Sequence, residues 1–279
     1  IFLPHVYRWC RRRRIPFVAY VGTAHSLDSN FKSKVMNALF AAGTLRIYTK
    51  NPVLAKTSAA KEELRQLGVP HAVIAPVGLD NAVLKKNIPA DEKMRLRKEH
   101  GFEADDVILC NVSRLSWEKR PLELIDLFLQ VKGKKKFKLI IVGNGPLEEE
   151  LNEKIRKNGL EKEVKIYPNV PYEKMWEIYE MSDYYLNMNK GEIFGMAIME
   201  AVYYKTSVAA IRALGPSVTL KDMKGHKLCE NDDEMAEWIT GPYPSEKDLQ
   251  ESSEKMAATF TWDRCADAFL QASSEKSSR

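Results

Sequence analysis

The sequence is poor in cysteine. Cys10, Cys110, Cys229 and Cys265 are the only four in 279 residues. They lie far apart with no Cys-x-x-Cys pair, which argues against a disulfide framework and gives no zinc signature. Long apolar runs are missing as well: nothing approaches the roughly 18 residues of a membrane-spanning helix. No charged-then-apolar leader opens the chain, so the expected location is cytosolic. The 14 Gly and 13 Pro follow no period, which excludes collagenous and repeat-array classes. Acidic residues are scarce in one region only. Residues 1–80 carry 12 Lys/Arg against 4 Asp/Glu, and the remainder 31 against 34. That asymmetry suits an anionic partner, a membrane surface or nucleic acid, or else a solvated basic face.

What is present is an ordinary globular composition, 44% hydrophobic and 29% charged, in a chain long enough for about two domains. Its opening, Ile1-Phe2-Leu3-Pro4, lacks an initiator Met and reads as a fragment. From Arg11 onward short β-rich runs alternate with longer amphipathic stretches, the pattern of parallel strands and crossover helices. A strand is expected over Ile15–Gly22, a helix over Asn30–Ala42, a strand over Leu45–Tyr48, a helix over Lys56–Leu67 and a strand over Ala72–Pro76. Residues 81–106 are charged and poor in large aliphatics, as a linker with one helix would be. We therefore place a boundary near Asp80.

The alternation then resumes: strand Val107–Val112, helix from Pro121, strand Lys138–Val142, helix Leu147–Asn158, strand Val164–Tyr167, helix Tyr172–Met181, strand Tyr184–Leu186, helix Gly195–Tyr204 and strand Ser207–Ala210. These strands are apolar on both faces, as a helix-covered parallel sheet requires. Two further helices, Glu246–Thr259 and Trp262–Ser273, close the chain.

In open parallel sheets ligands bind beyond the carboxyl ends of the strands. Three such loops carry chemistry. After Val112, Arg114 and Lys119 supply a planar fork and a mobile point charge suited to a diphosphate; equally, they suit a surface loop paired with carboxylates such as Glu118. After Val142, Gly143-Asn144-Gly145-Pro146 permits close approach of a ligand to the backbone, though such turns also arise for steric reasons alone. The third loop precedes a helix that is apolar nearly all round and yet contains Glu200, about 7 Å along it. A buried carboxylate needs a cation or ligand hydroxyls as partner. Glu192 stands before the same helix start, where the amides of Phe194, Gly195 and Met196 suit a phosphate or sugar hydroxyl. The alternative for this pair is an N-terminal charge and a core salt bridge.

Glu192 and Glu200 as Glu-x7-Glu, Arg114 and Lys119 as Arg-x4-Lys, and the Gly143–Pro146 turn, in this order within a βαβ framework, resemble the retaining glycosyltransferases of the GT-B fold, family 4. The resemblance covers about residues 1–273. It implies an α/β protein of two Rossmann-like domains: a partial acceptor-side domain over 1–80, truncated at its N-terminus, a donor-nucleotide domain over 81–258, and a segment 259–279 returning to the first. It also implies that Arg114 and Lys119 hold the donor diphosphate and that Gly143 and Gly145 border it. Glu192 would bond sugar hydroxyls together with the amides of Phe194, Gly195 and Met196, and Glu200 the ribose. Backbone near Asn169 and Val170 would meet the base, and His25 would point at the transferred sugar.

Two departures stand out. Ala213-Leu214-Gly215-Pro216-Ser217-Val218 replaces the family's Gly-Gly-x-x-Glu stretch, and Tyr204-Lys205-Thr206 replaces a small-residue turn.

The activity so implied is transfer of a hexose, with retention, from a nucleoside-diphosphate sugar to a saccharide or lipid-linked acceptor. No metal is expected, because the loops hold no Asp-x-Asp pair at a strand end and the two cations can meet the leaving diphosphate. No cofactor and no nucleic acid partner are expected. An anionic membrane is a further expected partner, touched by Arg11–Arg14, Lys32 and Lys34 at about 1 kcal/mol each, with the protein peripheral at the inner face. A non-catalytic sugar-nucleotide-binding module, or a half-enzyme completed by a second chain, is the competing reading.

Overall fold

The computed structural model describes residues 3–22, 35, 38, 39, 41–80 and 84–274. These fall into two compact units, Ile1–Gly78 with Phe260–Arg279, and Leu79–Thr259. His25 and most of the helix expected over Asn30–Ala42 lie outside the described residues.

The first unit begins with helix α1 (Leu3–Arg12), followed by strands β1 (Ala19–Val21), β2 (Val53–Ala55) and β3 (Val73–Ile74) in one parallel sheet of order β1-β2-β3. The stretch Leu45–Tyr48, expected as a strand, is helical instead. A π-helical turn over Ala41–Leu45 runs into the short helix α2 (Arg46–Tyr48), and Asn51 Nδ2 donates to the Ile47 carbonyl at 2.7 Å. Four residues, Leu45-Arg46-Ile47-Tyr48, do not fix a period, so strand and helix are indistinguishable there. The central strand is the next apolar run, Val53-Leu54-Ala55, buried throughout. Helix α3 (Ser58–Gln66) starts at Thr57, whose hydroxyl accepts the Ala60 N–H at 3.0 Å as an N-cap. The last helix of the chain also belongs to this unit: Cys265, Ala268 and Ala272 from Trp262–Ser274 share an apolar cluster with Leu54 and Ala75.

The second unit opens with α4 (Glu92–Glu99) and then alternates. Its strands are β4 (Val107–Val112), β5 (Phe137–Val142), β6 (Val164–Tyr167), β7 (Tyr184–Asn187), β8 (Ser207–Ile211) and β9 (Lys227–Cys229). Its helices are α5 (Pro121–Val131), α6 (Glu148–Lys157), α7 (Met175–Met181), α8 (Met196–Tyr203), α9 (Leu214–Thr219), α10 (Asp232–Thr240) and α11 (Glu246–Thr259). All pairings are parallel, in the order β6-β5-β4-β7-β8-β9. Chain order therefore runs outward from β4 to β6, returns beside β4 as β7, and runs outward the other way. The loops leaving β4 and β7 diverge at this reversal, which is where a crevice opens in doubly wound sheets.

The amino ends of the strands are closed by a buried ionic network. Arg97, 4% exposed, donates to Asp183 Oδ2 at 2.6 Å, to the Met181 carbonyl at 3.0 Å and to the Asp106 carbonyl at 3.1 Å. The same Asp183 oxygen accepts the Ile108 N–H, and Lys93 bonds the other oxygen at 2.9 Å. Nearby a cavity of about 860 Å³ is lined by Lys85, Glu180, Ser182, Lys205 and Tyr243, among others. Ser182 and Lys205 lie two residues before β7 and β8, so this cavity opens at the edge of the sheet opposite the motif-bearing loops.

Candidate active site

The β4 loop and the β5 loop lie directly on one another. Ser113 N–H donates to the Val142 carbonyl at 3.0 Å, Leu115 N–H to that of Asn144 at 2.9 Å, and Leu147 N–H to that of Leu115 at 3.0 Å. Side chains have no room at this contact: a Cβ at Gly143 would overlap the Ser113 carbonyl oxygen and one at Gly145 that of Leu115. The requirement for glycine is thus accounted for by packing of loop on loop.

From this braced loop a single 3₁₀ turn, Trp117–Lys119, carries Lys119 across the reversal point. Its Nζ donates to Glu192 Oε2 at 2.8 Å, with the two side chains 25% and 16% exposed. Glu192 also receives Asn189 Nδ2 at 3.1 Å. Burial by itself raises this carboxyl; the Lys119 hydrogen bond and charge, helped by the Asn189 and Asn187 amides, outweigh that and hold it below the ordinary carboxylate range.

Arg114 behaves differently. It is exposed and, among the described residues, forms no ion pair with Glu192. Its charge is felt by Glu118, which is lowered chiefly by the Ser116 hydroxyl that donates to it at 2.6 Å. The arginine fixed at this edge is Arg120, which has a left-handed backbone (φ +55°). It forks onto Asp232 at 2.7 and 3.0 Å and reaches the Met188 carbonyl at 3.3 Å.

The β7 loop is shaped by asparagines that sequence reasoning missed. Asn187 Oδ1 accepts Asn189 N–H at 3.1 Å, Asn189 Oδ1 accepts Gly191 N–H at 2.9 Å, and Asn111 Nδ2 reaches across to the Leu186 carbonyl at 2.8 Å. The signal was present as asparagine at otherwise apolar strand ends, where a buried amide must find backbone partners. Gly195 then turns the chain into α8 with φ +85°, a left-handed conformation favouring glycine. Phe194 is buried, Met196 opens the helix, and Gly215 N–H donates to the Glu192 carbonyl at 2.8 Å. The departing segment Ala213–Val218 therefore forms a short helix docked against the Glu192 loop.

Glu200 is 7% exposed on α8. Its partners are two phenols rather than a cation: Tyr179 donates to Oε2 at 2.8 Å and Tyr172 to Oε1 at 3.2 Å. Burial raises its pKa, partly offset by these bonds. Tyr172 and Tyr179 stand seven residues apart, two helical turns, a spacing that would have placed them on one face. Tyr185 of β7 is buried, and desolvation is the main cause that raises its hydroxyl. Asn169 and Val170 follow β6, outermost in the sheet, and Asn144 Nδ2 donates to the adjacent Pro168 carbonyl at 3.1 Å. The structure thus joins Lys119 to Glu192 at the reversal, starts α8 at Gly195 and buries Glu200 along that helix on Tyr172 and Tyr179, while Arg114 is exposed and Asn169 follows the edge strand β6.

Comparison with known proteins bears on the family and the fold. The chain is 26% identical over 297 residues to D-inositol 3-phosphate glycosyltransferase of Mycobacterium avium, a match that covers 94% of this chain and 65% of that protein. It therefore spans just under two thirds of that relative's length. Over 112 residues it is 34% identical to the amylovoran biosynthesis glycosyltransferase AmsD of Erwinia amylovora, with 40% and 31% of the two chains covered. The crystal structure of HepE from Anabaena in complex with UDP superposes with a TM-score of 0.79 at 18% identity, covering 99% of this chain and 76% of that one. Sucrose-phosphate synthase from Thermosynechococcus elongatus gives 0.77 at 17% identity, with 95% and 69% covered. These likenesses show the α/β fold of GT-B type expected from the sequence. The family model described as "Glycosyl transferases group 1" matches residues 92–256, more than half of the chain, and this protein belongs to that family.

Proposed function

We propose that this protein is a retaining glycosyltransferase that moves a hexose from a nucleoside-diphosphate sugar to a saccharide or lipid-linked acceptor. The observation that carries the reading is the Lys119–Glu192 contact at the reversal point of the sheet, in a chain of this family. Retaining transfer develops negative charge on the departing diphosphate. Lys119, Arg114 and the amino end of α8 form a cationic rim to receive it, and preorganised donors at developing charge lower the barrier without a metal. Glu192, held ionised, accepts from sugar hydroxyls beside the Phe194, Gly195 and Met196 amides. Glu200 accepts from the ribose, the Asn169–Val170 backbone meets the base, and Gly143 and Gly145 keep the bordering loops close. A role for His25 at the transferred sugar rests on the resemblance alone. The leaving phosphate takes the acceptor proton in a front-face displacement, so Glu192 orients the sugar and forms no covalent bond with it.

In this reading residues 1–80 serve the acceptor and 81–258 the donor, with 259–279 rejoining the first unit. The protein works in the cytoplasm, peripherally at the inner face of the membrane. Helix α1 supports that placement: Val6 and Trp9 are half exposed beside Arg8, Arg11 and Arg12. Among the described residues no helix is long and apolar enough to cross a membrane. Co-sedimentation with anionic vesicles tests the placement, and binding indifferent to lipid charge and salt would remove it.

Calorimetric titration with UDP-, GDP- and ADP-sugars, followed by product analysis with saccharide and lipid acceptors, tests the function. Binding of one donor with release of its nucleoside diphosphate is the expected result. Donor binding with neither transfer nor hydrolysis would favour the binding-module reading. Absence of all binding would overturn both. Glu200→Gln should weaken donor binding while the ligand-free chain keeps its melting temperature.

A further inference from the structure

Glu200 is held by two phenols that are not equivalent. Tyr179 is fully buried, stacked on Tyr204 with ring centroids 5.9 Å apart and planes within 10°, and bonded to Oε2 at 2.8 Å. Thr206 Oγ1 donates to its backbone carbonyl at 2.9 Å, fixing the residue from behind. Tyr172 is 42% exposed, opens a three-residue 3₁₀ turn after Pro171, and makes the longer bond, 3.2 Å to Oε1. On the Oε2 side Tyr179 and the Tyr204 stacked on it are both buried, and Glu200 itself is 7% exposed. A hydroxyl group arriving from water therefore meets Oε1 on the side that Tyr172 occupies.

We propose that Tyr172 is a specificity-determining residue that acts as an exchangeable donor: it satisfies Glu200 Oε1 in the ligand-free protein and gives way to a ribose hydroxyl of the bound nucleotide. The proposal rests on the reading of Glu200 as the ribose acceptor and deepens it. A buried carboxylate oxygen left bare would be costly, so an internal donor is needed while the site is empty. Burial, with the nearby Glu200 and Asp80 charges, pushes the Tyr172 phenol up to about 12, which keeps its proton in place for this purpose at neutral pH. Exchange conserves hydrogen bonds: one O–H to Oε1 breaks, another forms, and the freed phenol is taken up by water. The ribose thus gains less than a full bond, and Tyr172 sets the discount. Tyr179 cannot exchange, because its hydroxyl has no route to water.

The test compares Tyr172→Phe with the parent chain by calorimetry, using UDP, GDP and ADP and the 2′,3′-dideoxy form of whichever binds. Removing the competing hydroxyl should tighten the ribonucleotide about three- to tenfold, the range for one hydrogen bond to a charged group partly offset by water. The dideoxy nucleotide should be unaffected. Tyr179→Phe serves as the contrast: it should lower the ligand-free melting temperature without selectively tightening the ribonucleotide. Equal tightening of both nucleotides, no change in either, or weakening of the ribonucleotide by Tyr172→Phe would each overturn the proposal. Failure of the parent chain to bind any of the three would overturn the underlying ribose reading instead.

Discussion

Lys119 and Glu192, 73 residues apart in the chain, meet at 2.8 Å where the loops leaving β4 and β7 face each other. The contact joins the two halves of the second unit's sheet at the point of reversal. It also keeps a half-buried carboxylate ionised, so each partner fixes the other's position and charge.

Replacing Lys119 with Met should have two effects. Nucleoside-diphosphate binding should weaken by about 1.5–3 kcal/mol, the range for a charge-assisted hydrogen bond. Glu192 should also rise, since burial remains and the cation is gone. In the parent chain its depressed pKa contributes stability that is present above the ordinary value of 4.5 and is lost as pH falls through the lower folded value. Urea midpoints measured at pH 6 and below should therefore fall with acid in the parent chain and less steeply in Lys119→Met.

The loop-on-loop contact predicts that Gly143→Ala and Gly145→Ala each destabilise the protein by about 1–3 kcal/mol, the usual cost of overpacking. Each added methyl would overlap a backbone carbonyl of the β4 loop, which cannot rotate away as a side chain would. Because that loop also carries Lys119, donor affinity should fall with stability. Alanine variants of normal denaturation midpoint would contradict the packing account.

At the opposite edge, Asp183→Asn should destabilise by about 3–5 kcal/mol, because it leaves Arg97, 4% exposed, without its carboxylate. Donor affinity of the remaining folded protein should be unchanged, since the network lies at the amino ends of the strands. Denaturant titration and calorimetry on one preparation separate the two quantities.

His226 supplies a pH dependence of its own. Its Nδ1 accepts the Val208 N–H at 3.0 Å, and burial lowers its pKa from 6.5 to about 4. Protonation would cancel the acceptor and bury a charge. Stability from this residue should be complete above pH 6.5 and decline as pH falls from 6.5 towards 4, because the unfolded chain takes up the proton first. His226→Asn should flatten that slope in equilibrium unfolding measured across the window.

Most of the second unit was legible in the sequence. β4 and β6 have the expected limits, and β5, β7 and β8 lie within a residue of theirs, because short apolar runs bounded by turn residues have few alternatives in a parallel sheet. The stretch Leu45–Tyr48 was misread, since so short a run carries no period and its neighbour Val53–Ala55 took the central place. Helices α9 and α10 and strand β9 went unread: α9 contains Gly215 and Pro216 and β9 has only three residues, while the Asn231 cap and acidic first turn that announce α10 were overlooked.

The sequence by itself determined the alternation of strands and helices, the eight-residue separation of Glu192 and Glu200 around a helix start, and the family likeness carried by Arg114, Lys119 and the Gly143–Pro146 turn. All of these are local spacings, fixed by the rise of a helix or the length of a loop. Only the tertiary structure decided that Lys119 turns to Glu192 while Arg114 stays exposed, that two tyrosines rather than a cation hold Glu200, and that Gly143 and Gly145 answer to a neighbouring loop. Those outcomes depend on which distant segments pack together, because a buried charge takes whatever donor the packing brings within hydrogen-bond reach, and no local pattern encodes that choice.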